Sequence, residues 1–248
     1  MKKSIMFMLV AILVAMATSA GYSWAIDYSE VQATASYQFG SARAYRVGDS
    51  YERFVILEVN VAPNFNMPHW VVNLGDIYVS EIQFVNHSKA VAVFWEAWHC
   101  GLFLFDARDS TSLRKYYFQD SYYVDAWKYL GEEKGVLVVT STTGSTGKKY
   151  LKKISLPDGI VTKLATFPAS LAFYFGWEHI SSTDEWNPLV AVVNESGRCI
   201  VYRAQDSIAK VLTRKLPAGA KISYLGLGED WGVIDIDIPK QIFVKIGQ

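Results

Sequence analysis

Phe103-Leu-Phe-Asp-Ala-Arg-Asp-Ser110 and Ile200-Val-Tyr-Arg-Ala-Gln-Asp-Ser207 are the two stretches on which the fold turns. Each is an apolar triplet, a polar residue, Ala, a long polar residue and then Asp-Ser. Ile154-Ser-Leu-Pro-Asp-Gly159 is a middle copy, again an apolar segment ending in an Asp turn, and Asp109, Asp158 and Asp206 stand 49 and 48 residues apart. After each Asp comes one more strand-like run: Leu113 to Phe118, Ile160 to Phe167 and Lys210 to Leu216. An aromatic-rich run then opens the next unit: Tyr122 to Tyr129, Ala172 to Trp177 and Ile222 to Leu227.

The rest of the chain reads the same way. Short Val-, Ile-, Phe- and Tyr-rich runs alternate with Gly, Asp, Asn, Ser and Pro clusters, the pattern of strands and turns. Phe54–Val59, Ala90–Trp95, Leu102–Phe105, Val136–Thr140, Leu189–Val193, Ile200–Tyr202 and Gln241–Ile246 are such runs. No window after residue 26 carries a 3.6-residue apolar stripe with helix caps. The expected class is all-β.

A period of 45–50 residues holding four short strands resembles β-propeller repeats. A four-stranded blade has two apolar faces and cannot stand alone, so blades stack about an axis. The resemblance is to propeller repeats in general: it covers most of the chain and includes neither a Gly-His…Trp-Asp signature nor a kelch double glycine. It implies units at 28–76, 77–121, 122–170, 171–219 and 220–248, the first matching least well. The last has three strands, Ile222–Leu227, Gly232–Ile238 and Gln241–Ile246, and Val31–Tyr37 is the candidate to complete it. The arithmetic gives five blades in one domain over 26–248. A β-sandwich or barrel is the rival architecture.

The first 25 residues read differently. Met1-Lys2-Lys3 is a short positive start, and Ile5 to Ala17 is an uncharged run of 13 residues. Thr18 with Ala20, and Ser23 with Ala25, supply the small side chains that signal peptidase requires at −3 and −1. The pattern is that of a secretory signal cleaved after Ala25. A membrane-spanning helix needs roughly 20 apolar residues. With no cysteine near the cleavage region a lipid-modified N-terminus is excluded, and no later stretch is long enough for a second span. The expected location is secreted or periplasmic.

Composition bounds the function. Lys2 and Lys3 are two of the 24 basic residues, so the chain after Ala25 carries 22 basic against 24 acidic groups, a net charge of −2. A nucleic-acid partner calls for a basic excess or stripe, so that class is set aside. The two cysteines, Cys100 and Cys199, do not make a disulfide framework. Export permits a bridge, but the repeat places them at nearly equivalent positions of the second and fourth units, beyond the ~7 Å Cα limit. Two free thiols are expected.

Catalytic signatures are missing. Gly144-Ser-Thr-Gly-Lys-Lys149 fails as a phosphate loop: position 142 is Thr where Gly is needed, and Lys149 stands where Ser or Thr should follow. A hairpin turn is the better reading. There is no Gly-x-Ser-x-Gly. His69, His87, His99 and His179 lack metal-ligand spacing. Asp235 and Asp237 alternate with Ile234, Ile236 and Ile238, which would put two carboxylates on one side of a strand for Ca²⁺; a solvent-facing edge is the competing reading. Asn86-His-Ser88 and Asn194-Glu-Ser196 are glycosylation sequons only in a eukaryotic host. No cofactor and no metal is called for.

Trp95-Glu-Ala-Trp98-His99 is the most unusual string. It falls in the turn between the second and third strands of the second unit, which in a propeller shares one face with the connections between blades, here Gln119 to Asp125. Trp98, His99, Asp120, Tyr122, Tyr123 and Asp125 are therefore the candidate ligand-binding residues. Flat aromatics beside hydrogen-bonding groups suit sugars, small polar ligands or a peptide; the opposing reading buries these rings between blades. The sequence points to an exported, non-catalytic binding module for a protein or small polar ligand. A secreted glycoside hydrolase using Glu96, Asp120, Asp125 or Glu195, with carboxylates ~5–9.5 Å apart, and a structural subunit of an extracellular assembly are the alternatives.

Overall fold

The computed structural model describes residues 31–37, 40–48, 53–61, 69–142, 147–156, 158–229, 231–237 and 240–243. The expected export signal, residues 1–25, lies outside the described residues. All regular structure among them is β. The first sheet contains β1 (Val31–Tyr37), β2 (Gly40–Gly48), β3 (Arg53–Val61) and β4 (Trp70–Gly75). The second contains β5 (Tyr78–Phe84), β6 (Lys89–Glu96), β7 (His99–Asp106) and β8 (Asp109–Phe118). The third contains β9 (Tyr123–Gly131), β10 (Gly135–Ser141), β11 (Lys148–Ile154) and β12 (Val161–Pro168), and the fourth β13 (Ala172–Ile180), β14 (Glu185–Val193), β15 (Arg198–Ala204) and β16 (Ile208–Lys215). Then follow β17 (Ile222–Leu227), β18 (Gly232–Ile236) and β19 (Lys240–Phe243).

Each group is an antiparallel meander in chain order. The expected unit boundaries each enclose one group. One expectation fails. Val31–Tyr37 does not complete the last group: as β1 it pairs with β2, from Val31↔Tyr45 to Tyr37↔Gly40. The reason lies in β2, Gly-Ser-Ala-Arg-Ala-Tyr-Arg-Val-Gly, whose Ala42 and Ala44 point into the core with Arg43 between them on the other side. Small residues there let the first sheet lie close on the second, and β1 is needed as its opening strand.

The sheets stack face to face, and strand alternation drives the stacking. In β6, Ala90, Ala92 and Phe94 join Val55, Leu57 and Val59 of the first sheet, while Val91 and Val93 turn the other way to meet Val136 and Val138 of the third. In β10, Leu137 and Val139 face Val190 and Val192 of the fourth sheet. In β14, Leu189, Ala191 and Val193 face Ile222, Leu225 and Ile234. Each of these strands is buried on both sides, which a period of two makes possible only if both parities are apolar. First strands adjoin: β1 lies along β5, and β13 along β17. The arrangement is propeller-like.

At β13 and β17 the approach is close enough for parallel hydrogen bonding, Trp177↔Gly226 and Glu178↔Leu227, so the last three strands extend the fourth sheet. Gly176 permits it. A Cβ there would stand 2.2 Å from the backbone oxygen of Leu225. Gly176→Ala should therefore destabilise the fold by ~1–3 kcal/mol, the range for overpacking, read as a lower urea midpoint.

Cys100 is buried between the second and third sheets and Cys199 between the fourth sheet and β17–β18; both are free thiols. Burial raises their pKa values to about 12 and about 11. The native protein should not react with a disulfide reagent at mildly alkaline pH, and the unfolded, unreduced chain should show two thiols. A native reaction of either cysteine would contradict the burial.

Candidate functional site

The register of β5 and β6 pairs Tyr78 with Trp95. Trp95 continues the parity of Val91 and Val93, but it lies past the end of the buried zone, so the same alternation that buries those valines brings Trp95 to the surface. Its ring stacks on Tyr78 with centroids 5.2 Å apart. It meets Tyr123, the first residue of β9, edge-on at 5.6 Å and 86°. Tyr78, Trp95 and Tyr123, 42%, 38% and 44% exposed, form a continuous aromatic row across the second and third sheets.

Two residues after Trp95 the chain turns. Glu96 pairs with His99, leaving Ala97 and Trp98 as the tip of a two-residue hairpin. Ala97 sits at φ 49°, a left-handed conformation that costs a residue with a Cβ about 1–2 kcal/mol. The tip holds Trp98 74% exposed. Behind it Glu96 accepts hydrogen bonds from Lys115 Nζ at 2.7 Å and from the Tyr117 hydroxyl at 2.5 Å. Burial alone would raise the Glu96 pKa, but these two donors and the Lys115 charge hold it below the usual range. Lys115 in turn lies over the rings of Tyr117 and Phe94, at 4.5 and 4.9 Å.

The connection from β8 to β9 is pinned from below. The Ser121 carbonyl accepts from Cys100 N, and Tyr122 N donates to the carbonyl of Ser141. The Ser121 hydroxyl lies 2.8 Å from that of Thr140. The ammonium of Lys152, buried beneath, donates to Asp120 and to the Ser121 hydroxyl. Burial would raise the Asp120 pKa, but the Lys152 hydrogen bond and charge, helped by Ser121, hold it below the usual range. Tyr122 and Tyr123 thus project from a fixed base.

Beside Tyr123 a cleft of about 390 Å³ opens between the third and fourth sheets, lined also by Ser141, Thr142, Lys149, Ser170 and Glu195. Small side chains at Ala169 and Ser170 leave the space open. Asp125 borders it indirectly: its carboxylate accepts from Ser141 Oγ at 3.2 Å and lies 3.8 Å from Lys149 Nζ. Lys149 also donates to the carbonyl of Leu171. The segment running to Lys149 joins the antiparallel pair β10 and β11, with Thr142 and Lys148 bonded across the turn; residues 143–146 lie outside the described ones.

All six sequence candidates lie at this one end of the sheets, Trp98 and His99 at the β6–β7 turn and the others on or beside the β8–β9 connection. Among the described residues it is Trp95, not Trp98, that touches Tyr123. Sequence reasoning missed Tyr78, Ser141, Thr142, Lys149 and Ser170. The cross-strand register would have found Tyr78; the cleft residues are ordinary hydroxyls and a lysine with no local signal. The expected Asp235–Asp237 pair is not on one strand: β18 ends at Ile236, and Asp237 lies in the following turn, where its amide donates to the Lys221 carbonyl. No group of three or more His, Cys, Asp or Glu side chains gathers among the described residues. No described helix is long and apolar enough to cross a membrane.

No protein-family model matches the chain, and no curated protein matches it in sequence. Solved structures similar to it include the hydrazine synthase of Kuenenia stuttgartiensis, at 10% identity and TM-score 0.47 over 83% of this chain and 68% of that one. Sqt1 of Saccharomyces cerevisiae is 8% identical, at TM-score 0.42 over 88% and 72%. A putative 6-phosphogluconolactonase of Bacteroides fragilis is 10% identical, at 0.40 over 87% and 80%. The propeller-like assignment rests on the meander order and the interleaved sheet faces.

The buried seam makes an asymmetric prediction. Asp120→Ala leaves the Lys152 charge with Ser121 as its remaining partner. It should cost about 2 kcal/mol, less than the ~3–5 typical when both partners are buried, because Asp120 is half exposed. Lys152→Met removes the charge itself and should be near neutral. Chemical denaturation of both variants checks this. The Asp120 contribution is complete above the unfolded pKa of about 3.9 and is lost as pH falls through its lower folded value.

Proposed function

We propose that the chain is a binding module whose contact surface is the end of the sheets bearing Tyr78, Trp95, Trp98, Tyr122 and Tyr123. The observation that carries this is the exposure of five aromatic side chains at one end, three of them in a continuous row. Burying such rings against water is favourable at roughly 25 cal/mol per Å², so a fold that leaves them together in solvent keeps a surface ready for a ligand. The rings stand on rigid strands and on a connection tied down by Ser121 and Lys152, so little ordering is lost on binding.

The export pattern of residues 1–25 supports a site of action outside the cytoplasm, with the partner met there. The hydrolase reading finds less support at Glu96, Asp120 and Asp125. A general acid needs a raised carboxyl pKa, whereas Glu96 and Asp120 are both lowered and both tied to lysines. Asp125 is likewise engaged, by Ser141 and Lys149.

Arrays of oligosaccharides and of peptides, probed with the full-length protein, test the proposal. Binding to at least one array should fall about tenfold or more, a loss of ~1.4 kcal/mol, in Trp98→Ala or Tyr123→Ala. It should persist in Trp186→Ala, which removes an exposed tryptophan at the opposite end of β14. Binding that survives both face variants and is lost with Trp186 would move the site elsewhere, and no binding to either array would overturn the module reading.

A further inference from the structure

We infer that the cleft beside Tyr123 takes a neutral carbohydrate chain, which continues along the Tyr123–Trp95–Tyr78 row. This deepens the binding-module reading and rests on it. Tyr123 belongs to both features: its ring touches Trp95 and also lines the cleft. The cleft volume of about 390 Å³ is that of a small-ligand site.

The chemistry of the lining selects the class. A sugar ring has an apolar C–H face and a rim of hydroxyls that both donate and accept. Tyr123 and Trp95 offer flat surfaces for the first. Ser170 offers a hydroxyl that donates or accepts; the Ser141 and Thr142 hydroxyls, whose protons go to Asp125 and to the Lys148 carbonyl, offer acceptor lone pairs, and Glu195 offers an acceptor carboxylate, for the second. Charge excludes the acidic alternatives. The lysine lining the cleft, Lys149, is already engaged by Asp125 at 3.8 Å and by the Leu171 carbonyl at 3.0 Å. With Glu195 also on the lining, there is no surplus positive charge to hold a phosphate, sulfate or uronate.

Geometry disfavours an extended peptide at the same place. Peptides added to sheets gain affinity from main-chain hydrogen bonds to an open strand edge. The strands that bring Ser141 and Lys149 to the cleft, β10 and β11, are paired on both sides, β10 with β9 and β11, β11 with β10 and β12. The two edge strands of that sheet, β9 and β12, meet the cleft only at Tyr123 and just past Pro168, at their ends rather than along an edge. What the cleft presents is side-chain hydroxyls and an aromatic wall, which is the way polyhydroxylated chains are held.

The test is titration of the full-length protein with short neutral oligosaccharides of gluco, manno, xylo and N-acetylglucosamine type, followed by tryptophan fluorescence and calorimetry. Uronic-acid oligosaccharides and a peptide library run in parallel. At least one neutral oligosaccharide should bind saturably. Tyr123→Ala should weaken it tenfold or more, Tyr123→Phe should keep most of the affinity, and Ser170→Tyr, which fills the cleft, should abolish it. Circular dichroism of each variant separates loss of site from loss of fold. If only uronic-acid chains or peptides bind, and Tyr123→Ala weakens them, the neutral-sugar class is wrong while the face stands. If nothing binds in any arm, both the class and the module reading fall.

Discussion

The structure depends on one constraint: the central strands β6, β10 and β14 must bury both of their faces at once. A half-buried strand alternates apolar and polar residues. These do not. Val91 and Ala92, Val136 and Leu137, Val190 and Ala191 are neighbours in sequence that belong to different clusters on opposite sides of a sheet. A sheet with two apolar faces cannot be an outer layer, so the meanders stack in succession rather than closing as two layers. That excludes the sandwich more firmly than any motif does. It also explains why a glycine stands where two meanders converge: Gly176 admits Leu225.

The same constraint decides what was legible in the sequence. The repeat around Asp109, Asp158 and Asp206 was visible because the third strand, its turn and the fourth strand are a local unit, and local units leave local patterns. The opening sheet was harder. β2 carries Ala-Arg-Ala-Tyr-Arg in place of a Val/Ile run, so its strand character rests on small residues whose value appears only when the second sheet is packed against them. Val31–Tyr37 is assigned to the far end of the chain because the last unit has three strands, and it stands in the first sheet instead. The Asp235–Asp237 reading failed for a related reason: alternation predicts side only while the strand lasts, and β18 stops at Ile236.

For the site, the sequence pointed to an end of the molecule and to several of its rings, but not to its contacts. Trp98 is conspicuous because it is next to His99 and near Glu96. Trp95 is the ring that bridges the sheets, and what reveals it is register, Trp95 opposite Tyr78, together with the start of β9 at Tyr123. The cleft was not legible at all. Its lining comes from the ends of β10 and β12, the starts of β9 and β11, and the turn after β14, five places scattered over more than 70 residues that carry no shared pattern.

Beneath the aromatic row runs a polar seam, and its position says what it is for. Lys152 is buried among Phe118 and Tyr150, 4.9 and 5.5 Å from their ring centres, where an apolar side chain of similar length would pack without desolvating a charge. Ion pairs of this kind add little net stability, so energy alone does not account for it. What Lys152 does is bond Asp120 and Ser121, the two residues at which the chain leaves the second sheet for the third. Ser121 meets Thr140, and Ser141 next to it carries Asp125, which holds Lys149 at the cleft. Row and cleft therefore share one hydrogen-bonded base, directional where the apolar clusters on either side are not. A surface of large rings on a connection between sheets needs such a base, because apolar packing fixes depth but leaves the rotation of the connection free.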